Sequence, residues 1–184
     1  MNPPDSLAIE VATQADIESI ADDWVALARD QRRHGSHVLA EPNRETMRNI
    51  LAAHRVDDGL LVARLEGSIV GFVSVSLERG SLELDATRGL LSNIYVVPEY
   101  RGRDIGSALL RAAERSLADR GVDVVVLEAM AANDRARRFY ERHGYDVYRV
   151  GMERELEDDR TAESACDQSG MTETENDTHS KDDR

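Results

Sequence analysis

Apolar and polar positions alternate along Ser6–Ala12, the spacing of a half-buried strand, and from Thr13 the apolar period lengthens to that of a helix. Ile17, Ile20, Ala21, Trp24, Leu27 and Ala28 then share one face, and Met47, Ile50, Leu51 and His54 repeat the pattern within residues 44–54. Residues 60–78 read as two β-rich runs joined at Glu66-Gly67, which predicts a hairpin. Residues 89–97, GLLSNIYVV, form a continuous apolar run rich in branched side chains and predict a strand buried on both faces. Beyond it Ile105, Ala108, Leu109 and Ala112 stripe a helix that ends near Gly121. Residues 122–130 predict a second buried strand, Asn133–His143 another helix, and residues 145–156 a closing strand. The order β-α-α-β-β-β-α-β-α-β predicts one α/β domain with a mixed, mostly antiparallel central sheet flanked by helices.

A chain of 184 residues, 41% of them hydrophobic, suffices for a single core. Residues 157–184 carry ten acidic and three basic side chains and no Val, Ile, Leu or aromatic residue, so they predict a disordered acidic tail behind a domain of residues 1–156. The formal charge of −13 falls to −6 without that tail, and either value argues against nucleic acid or an anionic membrane as partner. No apolar run is long enough to span a bilayer and residues 1–10 lack the layout of a signal peptide, so the expected location is the cytoplasm. Lys181 is the only lysine, and acid excess with arginine as the main cation resembles a salt-adapted, haloarchaeal-like proteome. Cys166 is the only cysteine and no histidine has ligand spacing, so no disulfide or metal site is expected.

Chemistry concentrates in Pro98–Leu110, PEYRGRDIGSALL, where two glycines and two arginines precede a helix. A strand running into such a turn exposes unpaired N–H groups at the positive end of a helix dipole, which suits a phosphate. No Gly-Lys-Ser/Thr follows, and the spacing of Gly102 and Gly106 does not fit the dinucleotide fingerprint. Taken alone, the fragment is equally served by a tight strand–helix turn with no ligand.

A second block decides between these readings. Arg101–Gly106 meets the pattern [Q/R]-x-x-G-x-[G/A], except that Asp104 replaces the middle glycine, and Asn133, Ala136 and Tyr140 meet Asn-x-x-Ala-x-x-x-Tyr, with Gly144-Tyr145 behind them. Two ordered motifs at this separation resemble the core of the GNAT acyltransferase superfamily, and the earlier order of elements extends the likeness over residues 7–156. The resemblance implies acetyl-CoA as co-substrate and an amine as acceptor, with no metal and no covalent enzyme intermediate. It implies that backbone groups of Val96 and Val97 bind pantetheine and that the amides of Arg101, Gly102, Arg103, Asp104, Ile105, Gly106 and Ser107 wrap the pyrophosphate. Asn133, with Ala136 in the same motif, would hold the pantetheine arm, and Tyr140 would protonate the departing thiolate. Arginines 101, 103, 135, 137, 138 and 142 add a local positive field that suits a polyphosphate.

The general base is less defined, because the strand positions where many members of the family carry a carboxylate hold Ser92 and Asn93 here. Glu128 is the first candidate, with Glu78, Glu83 and Asp85 behind it. For each of them a solvated or salt-bridged surface acid is the commoner reading than a catalytic one. The reading is therefore an acetyl-CoA-dependent N-acetyltransferase acting by direct attack in a ternary complex, with a non-catalytic acyl-CoA-binding module as the alternative. The acceptor is left open among protein amines, polyamines, aminoglycosides and amino acids. A homodimer is admitted by the family but marked by no seam in these residues.

Overall fold

The computed structural model describes residues 4, 6–78 and 82–156. The chain divides into two compact units, Met1–Tyr145 and Asp146–Arg184. The first contains strands β1 (Leu7–Val11), β2 (Leu60–Leu65), β3 (Ser68–Leu77), β4 (Arg88–Val96) and β5 (Val124–Leu127). Its helices are α1 (Ile17–Arg32), α2 (Arg44–Val56), α3 (Ile105–Ala118) and α4 (Asp134–Glu141). The strands lie in the order β1-β2-β3-β4-β5, antiparallel throughout except for the parallel pair β4·β5. The mixed, mostly antiparallel α/β domain is thus the observed fold. At the hairpin Glu66 (φ 50°) and Gly67 (φ 84°) both adopt positive φ, the turn whose twist matches that of the flanking strands.

Alternate strand residues feed two cores. On one face Ile17, Ile20 and Trp24 of α1 and Leu51 of α2 pack on Leu60, Val62, Phe72 and Tyr95. On the other, Ile105, Leu109, Leu110, Ala113 and Leu117 of α3 pack with Tyr140 of α4 on Leu61, Ala63, Val73, Val75 and Leu91. The α1 stripe is the face so buried, whereas on α3 Ile105 and Leu109 of the expected stripe are buried with Leu110, Ala113 and Leu117, and Ala108 and Ala112 lie at its margin.

Two features of β4 shape the site. The β3·β4 register shifts between Ser74 and Val75: Asn93 opposes Ser74 while Leu91 opposes Val75, so Ser92 is an extra, exposed residue. The β4·β5 pairing covers only Arg88–Leu91 against Val124–Leu127. Beyond Leu91, β4 has no strand partner on that side among the described residues, and the sheet opens into a gap. Val97 donates its N–H to Val70 O (3.0 Å), so by the antiparallel alternation the backbone groups of Ile94 and Val96 point away from β3, into this gap.

Two strand expectations need correction. β5 is four residues long and its Val124 is 45% exposed, so it is an edge strand and not one buried on both faces. Its apolar character does not show which strands will lie beside it. The expected last strand is also missing, because residues 146–156 join no ladder among the described residues. Val147, Tyr148, Val150, Met152 and Leu156 are exposed there. The apolar alternation exists, but a strand is held by its partner's hydrogen bonds, and this segment also carries five charged side chains. The expected acidic tail, residues 157–184, lies outside the described residues.

Candidate functional site

The turn between β4 and α3 is where backbone chemistry accumulates. Gly102 (φ 77°) and Asp104 (φ 59°, ψ 12°) both adopt the left-handed region, so the turn folds its amides toward one side before α3 begins. Arg101 N–H bonds to Pro98 O and Ala108 N–H to Asp104 O. Between them, the six consecutive N–H groups of Gly102, Arg103, Asp104, Ile105, Gly106 and Ser107 have no backbone acceptor among the described residues. A helix leaves about four such donors at its start. The left-handed turn extends the run and makes an anion cradle.

Asp104, at the N-cap of α3, has a structural account. It takes the left-handed conformation that glycine adopts without strain and that Asp tolerates better than most residues. Its carboxylate is held toward Arg111 (Oδ2 to the guanidinium, 3.3 Å), along the flank of α3. Burial works to raise its pKa, but the hydrogen bonds to Ser107 and Arg111 and the Arg111 charge outweigh this and lower it.

The cradle, the gap and α4 converge. A Cβ at Gly106 would come within 3.6 Å of the Phe139 ring and 3.8 Å of the Val96 side chain, ordinary contact distances that would admit alanine. Next to Phe139, Tyr140 is 8% exposed, with ring contacts to Phe139 (5.3 Å) and Tyr145 (5.8 Å). Burial alone pushes its phenol up to about 12, so it is protonated and a donor at neutral pH. Tyr145 anchors α4 to α3 by donating its hydroxyl to Glu114 Oε1 (2.9 Å). Asn133 caps α4, its Oδ1 accepting from Ala136 N–H (3.1 Å), so both motif residues hold the helix start.

Other expected residues are placed differently. Val97 has both backbone groups engaged, its N–H on Val70 O and its carbonyl accepting from Tyr100 N–H, so Val96 is the residue of the pair turned to the gap. The Arg101 side chain turns back from the cradle: Nε donates to Val96 O (2.9 Å), the guanidinium lies 5.5 Å over the Tyr95 ring, and Asp30 is 3.7 Å away. Arg103 rests on the Tyr100 ring at 5.4 Å. Arg137 reaches Ala131 O and Asp134, while Arg135, Arg138 and Arg142 are exposed on α4 and the residue that follows it.

Glu128 is exposed immediately after β5, where the gap begins. Glu78 is ion-paired with Arg88 (3.0 Å), and Glu83 and Asp85 are exposed on the loop before β4. His54 and His143 contact the carbonyls of Val75 and Phe139 and serve structure. No cluster of metal-ligating side chains occurs among the described residues, and no helix among them is long and apolar enough to cross a membrane. An open concavity of about 570 Å³ between β1, β2 and the C-terminal half of α3 lies away from the cradle; its Arg120 is already engaged by Asp58 O and Ser116.

One group was overlooked in the sequence. Asp23 occupies the inward stripe of α1 between Ile20 and Leu27 and is half-buried, close enough to Tyr95 for its charge to raise the phenol's pKa, an effect second to burial. The signal was there: an acid at an apolar position of the helical period.

The profile of the Acetyltransferase (GNAT) family matches residues 21–145. An uncharacterized N-acetyltransferase from Archaeoglobus fulgidus is 36% identical over 86 residues, 47% of this chain and 58% of that one. A mycothiol acetyltransferase from Propionibacterium freudenreichii is 37% identical over 107 residues, 56% of this chain and 33% of that one. The chain thus spans about a third to somewhat over half of the length of these relatives. Among solved structures, a GCN5-related N-acetyltransferase from Ralstonia eutropha superposes with a TM-score of 0.66 at 23% identity, covering 82% of this chain and 98% of that one. The PaiA N-acetyltransferase from Thermoplasma acidophilum, solved with coenzyme A, gives 0.66 at 20% identity over 79% and 93% of the two chains. With the profile spanning the greater part of α1, the splayed strand, the cradle and the Tyr140 helix together, the chain belongs to the Acetyltransferase (GNAT) family.

Proposed function

We propose that the protein transfers the acetyl group of acetyl-CoA to a primary amine by direct attack within a ternary complex. The observation that carries this reading is the run of six unbonded amides, Gly102–Ser107, beside the gap in the sheet. Such a run complements a pyrophosphate, and the gap offers the N–H of Val96 and the backbone groups of Ile94 to an extended pantetheine arm. The likeness to a fold solved with coenzyme A supports the same placement.

The transfer requires an uncharged amine nitrogen to attack the thioester carbonyl, after which the C–S bond breaks and a thiolate leaves. The Val96 N–H is the donor available to the carbonyl oxygen as it gains charge. Tyr140 supports the leaving sulfur. Its pKa of about 12 exceeds the ordinary thiol value of about 8.5, so a full proton transfer is uphill on its own and the phenol acts first as a hydrogen-bond donor to the sulfur. Glu128, at the mouth of the gap, takes the proton that the attacking nitrogen sheds, directly or through water.

Thiol release from acetyl-CoA against a panel of primary amines tests the reading, with amine-dependent release expected. Tight acetyl-CoA binding without such release would instead establish an acyl-CoA-binding module. Within the enzyme reading, Glu128→Gln should lower kcat by about 10²- to 10⁴-fold. An unchanged kcat would remove Glu128 from the mechanism.

A further inference from the structure

The face of the sheet opposite the cradle carries a polar strip that the steps above leave unused. Tyr95 belongs to the core shared with α1 and α2, and Asn93, two residues earlier on β4, points the same way. Asn93 donates its Nδ2 to Ser74 Oγ (2.9 Å), and Ser74 is fully buried on the sheet face that carries Phe72. Ile20 and Trp24 of α1 pack in one cluster with Tyr95, and Asp23 between them lies near enough for its charge to act on the phenol. Asp23, Tyr95, Asn93 and Ser74 thus draw a polar line over an apolar face toward the Ser92 bulge, where β4 leaves β5.

The acids of α1 differ in one respect. Glu18 is paired with Arg44 and Arg48, Asp22 with Arg44 (2.7 Å), and Asp30 with Arg33 and Arg101. Among the described residues no cation pairs with Asp23. Burial first, and the neighbouring Asp22 second, push its carboxyl up to about 6, with no compensating charge or hydrogen bond acting on it. Carboxylates withdrawn from water are ordinarily paired, so this one is short of a cation.

We propose that Asp23 binds a fixed positive charge on the acceptor, which makes the acceptor an amine bearing a second cationic group beside its reacting nitrogen. This rests on the acetyl-transfer reading. The reacting nitrogen must give up its charge before it attacks, so it cannot remain the partner of Asp23 through the reaction; a second ammonium or guanidinium can. α3, which follows the cradle, packs on one face of the sheet, and Tyr95 faces the other from the stretch of β4 that borders the gap, so acceptor and co-substrate would approach from opposite faces.

The full chain and Asp23→Asn are compared with 1,4-diaminobutane and n-butylamine, which share a carbon chain and differ in one charge. In thiol-release kinetics the natural protein should show a KM for the diamine at least tenfold below that for the monoamine. Asp23→Asn should erase this difference, the change lying in KM and not in kcat. A preference kept by the variant, or none in the natural protein, overturns the proposal. So does a fall in kcat for both amines at constant KM, which would make Asp23 a proton acceptor. Calorimetric binding of the diamine separates this from the parent reading: if no amine releases thiol, acetyl transfer falls, while a Kd weakened tenfold or more by Asp23→Asn still upholds the Asp23 site, and absent binding or an equal Kd overturns it. The thermal midpoint provides a control, because removing an uncompensated carboxylate should leave it equal or higher. A drop of several degrees would show that Asp23 has a structural partner and refute its availability.

Discussion

Replacing Asp104 with glycine separates charge from backbone geometry in the cradle. Its carboxylate borders the amides of Gly102–Ser107, and at about 4 Å a unit charge repels a phosphate charge by roughly 1 kcal/mol in a water-like dielectric. Arg111, 3.3 Å from the carboxylate, offsets part of this. Asp104→Gly should therefore tighten acetyl-CoA binding by about two- to fivefold at 0.05 M salt. In molar salt the Debye length shrinks to about 3 Å and the gain should fall within error. For the fold, glycine relieves about 1 kcal/mol of left-handed strain at φ 59°. It gives up about 0.4–1 kcal/mol through the freer unfolded chain and about 0.2–1 kcal/mol of partly exposed pairing with Arg111. The net lies between a gain of about 0.4 and a loss of about 1 kcal/mol. Because the folded pKa of Asp104 is lowered, the pairing contributes above the ordinary carboxylate pKa of about 3.9 and disappears as the pH falls through the folded value. The stability gap between the proteins should shrink below about pH 4 accordingly. Calorimetric titration at the two salt levels is the assay, with Asp104→Asn as companion, since asparagine keeps the left-handed tolerance and lacks the charge. Weaker binding by the glycine variant at both salt levels would refute the repulsion argument. A gain in the glycine variant unmatched by asparagine would assign it to the backbone.

Tyr140→Phe should lower kcat by about ten- to a hundredfold, the worth of a hydrogen bond to a charged sulfur, with acetyl-CoA affinity nearly unchanged; steady-state kinetics beside calorimetry would show an equal kcat if Tyr140 only packs. Gly71→Ala places a Cβ 2.5 Å from the Tyr95 carbonyl and 3.3 Å from Leu109, so β4 must shift at the edge of the gap. A loss of about 1–3 kcal/mol in denaturant unfolding and weaker acetyl-CoA binding are expected, and unchanged values would show that the strand yields freely. Asp16 accepts from Thr13 N–H and hydroxyl (both 2.8 Å) and pairs with Arg64 (3.0 Å), contacts that lower its pKa against the opposing effect of burial. Asp16→Asn should cost about 2–4 kcal/mol at pH 7, a penalty that vanishes as the pH falls through the folded pKa of Asp16; a pH-independent difference would contradict the ionic account.

Local chemistry was legible in the residues. The stripe of α1, the Glu66-Gly67 turn, the Gly/Arg turn before α3 and the Asn133–Tyr140 spacing each depend on neighbours within about four positions, which period and turn preference capture. What the tertiary structure decided depends on partners far away in the chain. That β5 is a short edge, that β4 opens beyond Leu91 with Val96 and not Val97 turned to the gap, and that residues 146–156 join no ladder are matters of strand pairing, invisible to a pattern of apolar residues. The same holds for charge. Arg101 reads as a cradle cation, yet Val96 O, Tyr95 and Asp30 draw it back across the sheet. Asp22 and Asp23 are adjacent and alike in sequence, but one meets Arg44 and the other faces the core without a cation, because a helix turns successive side chains about 100° apart and only the packed neighbours determine what each one finds.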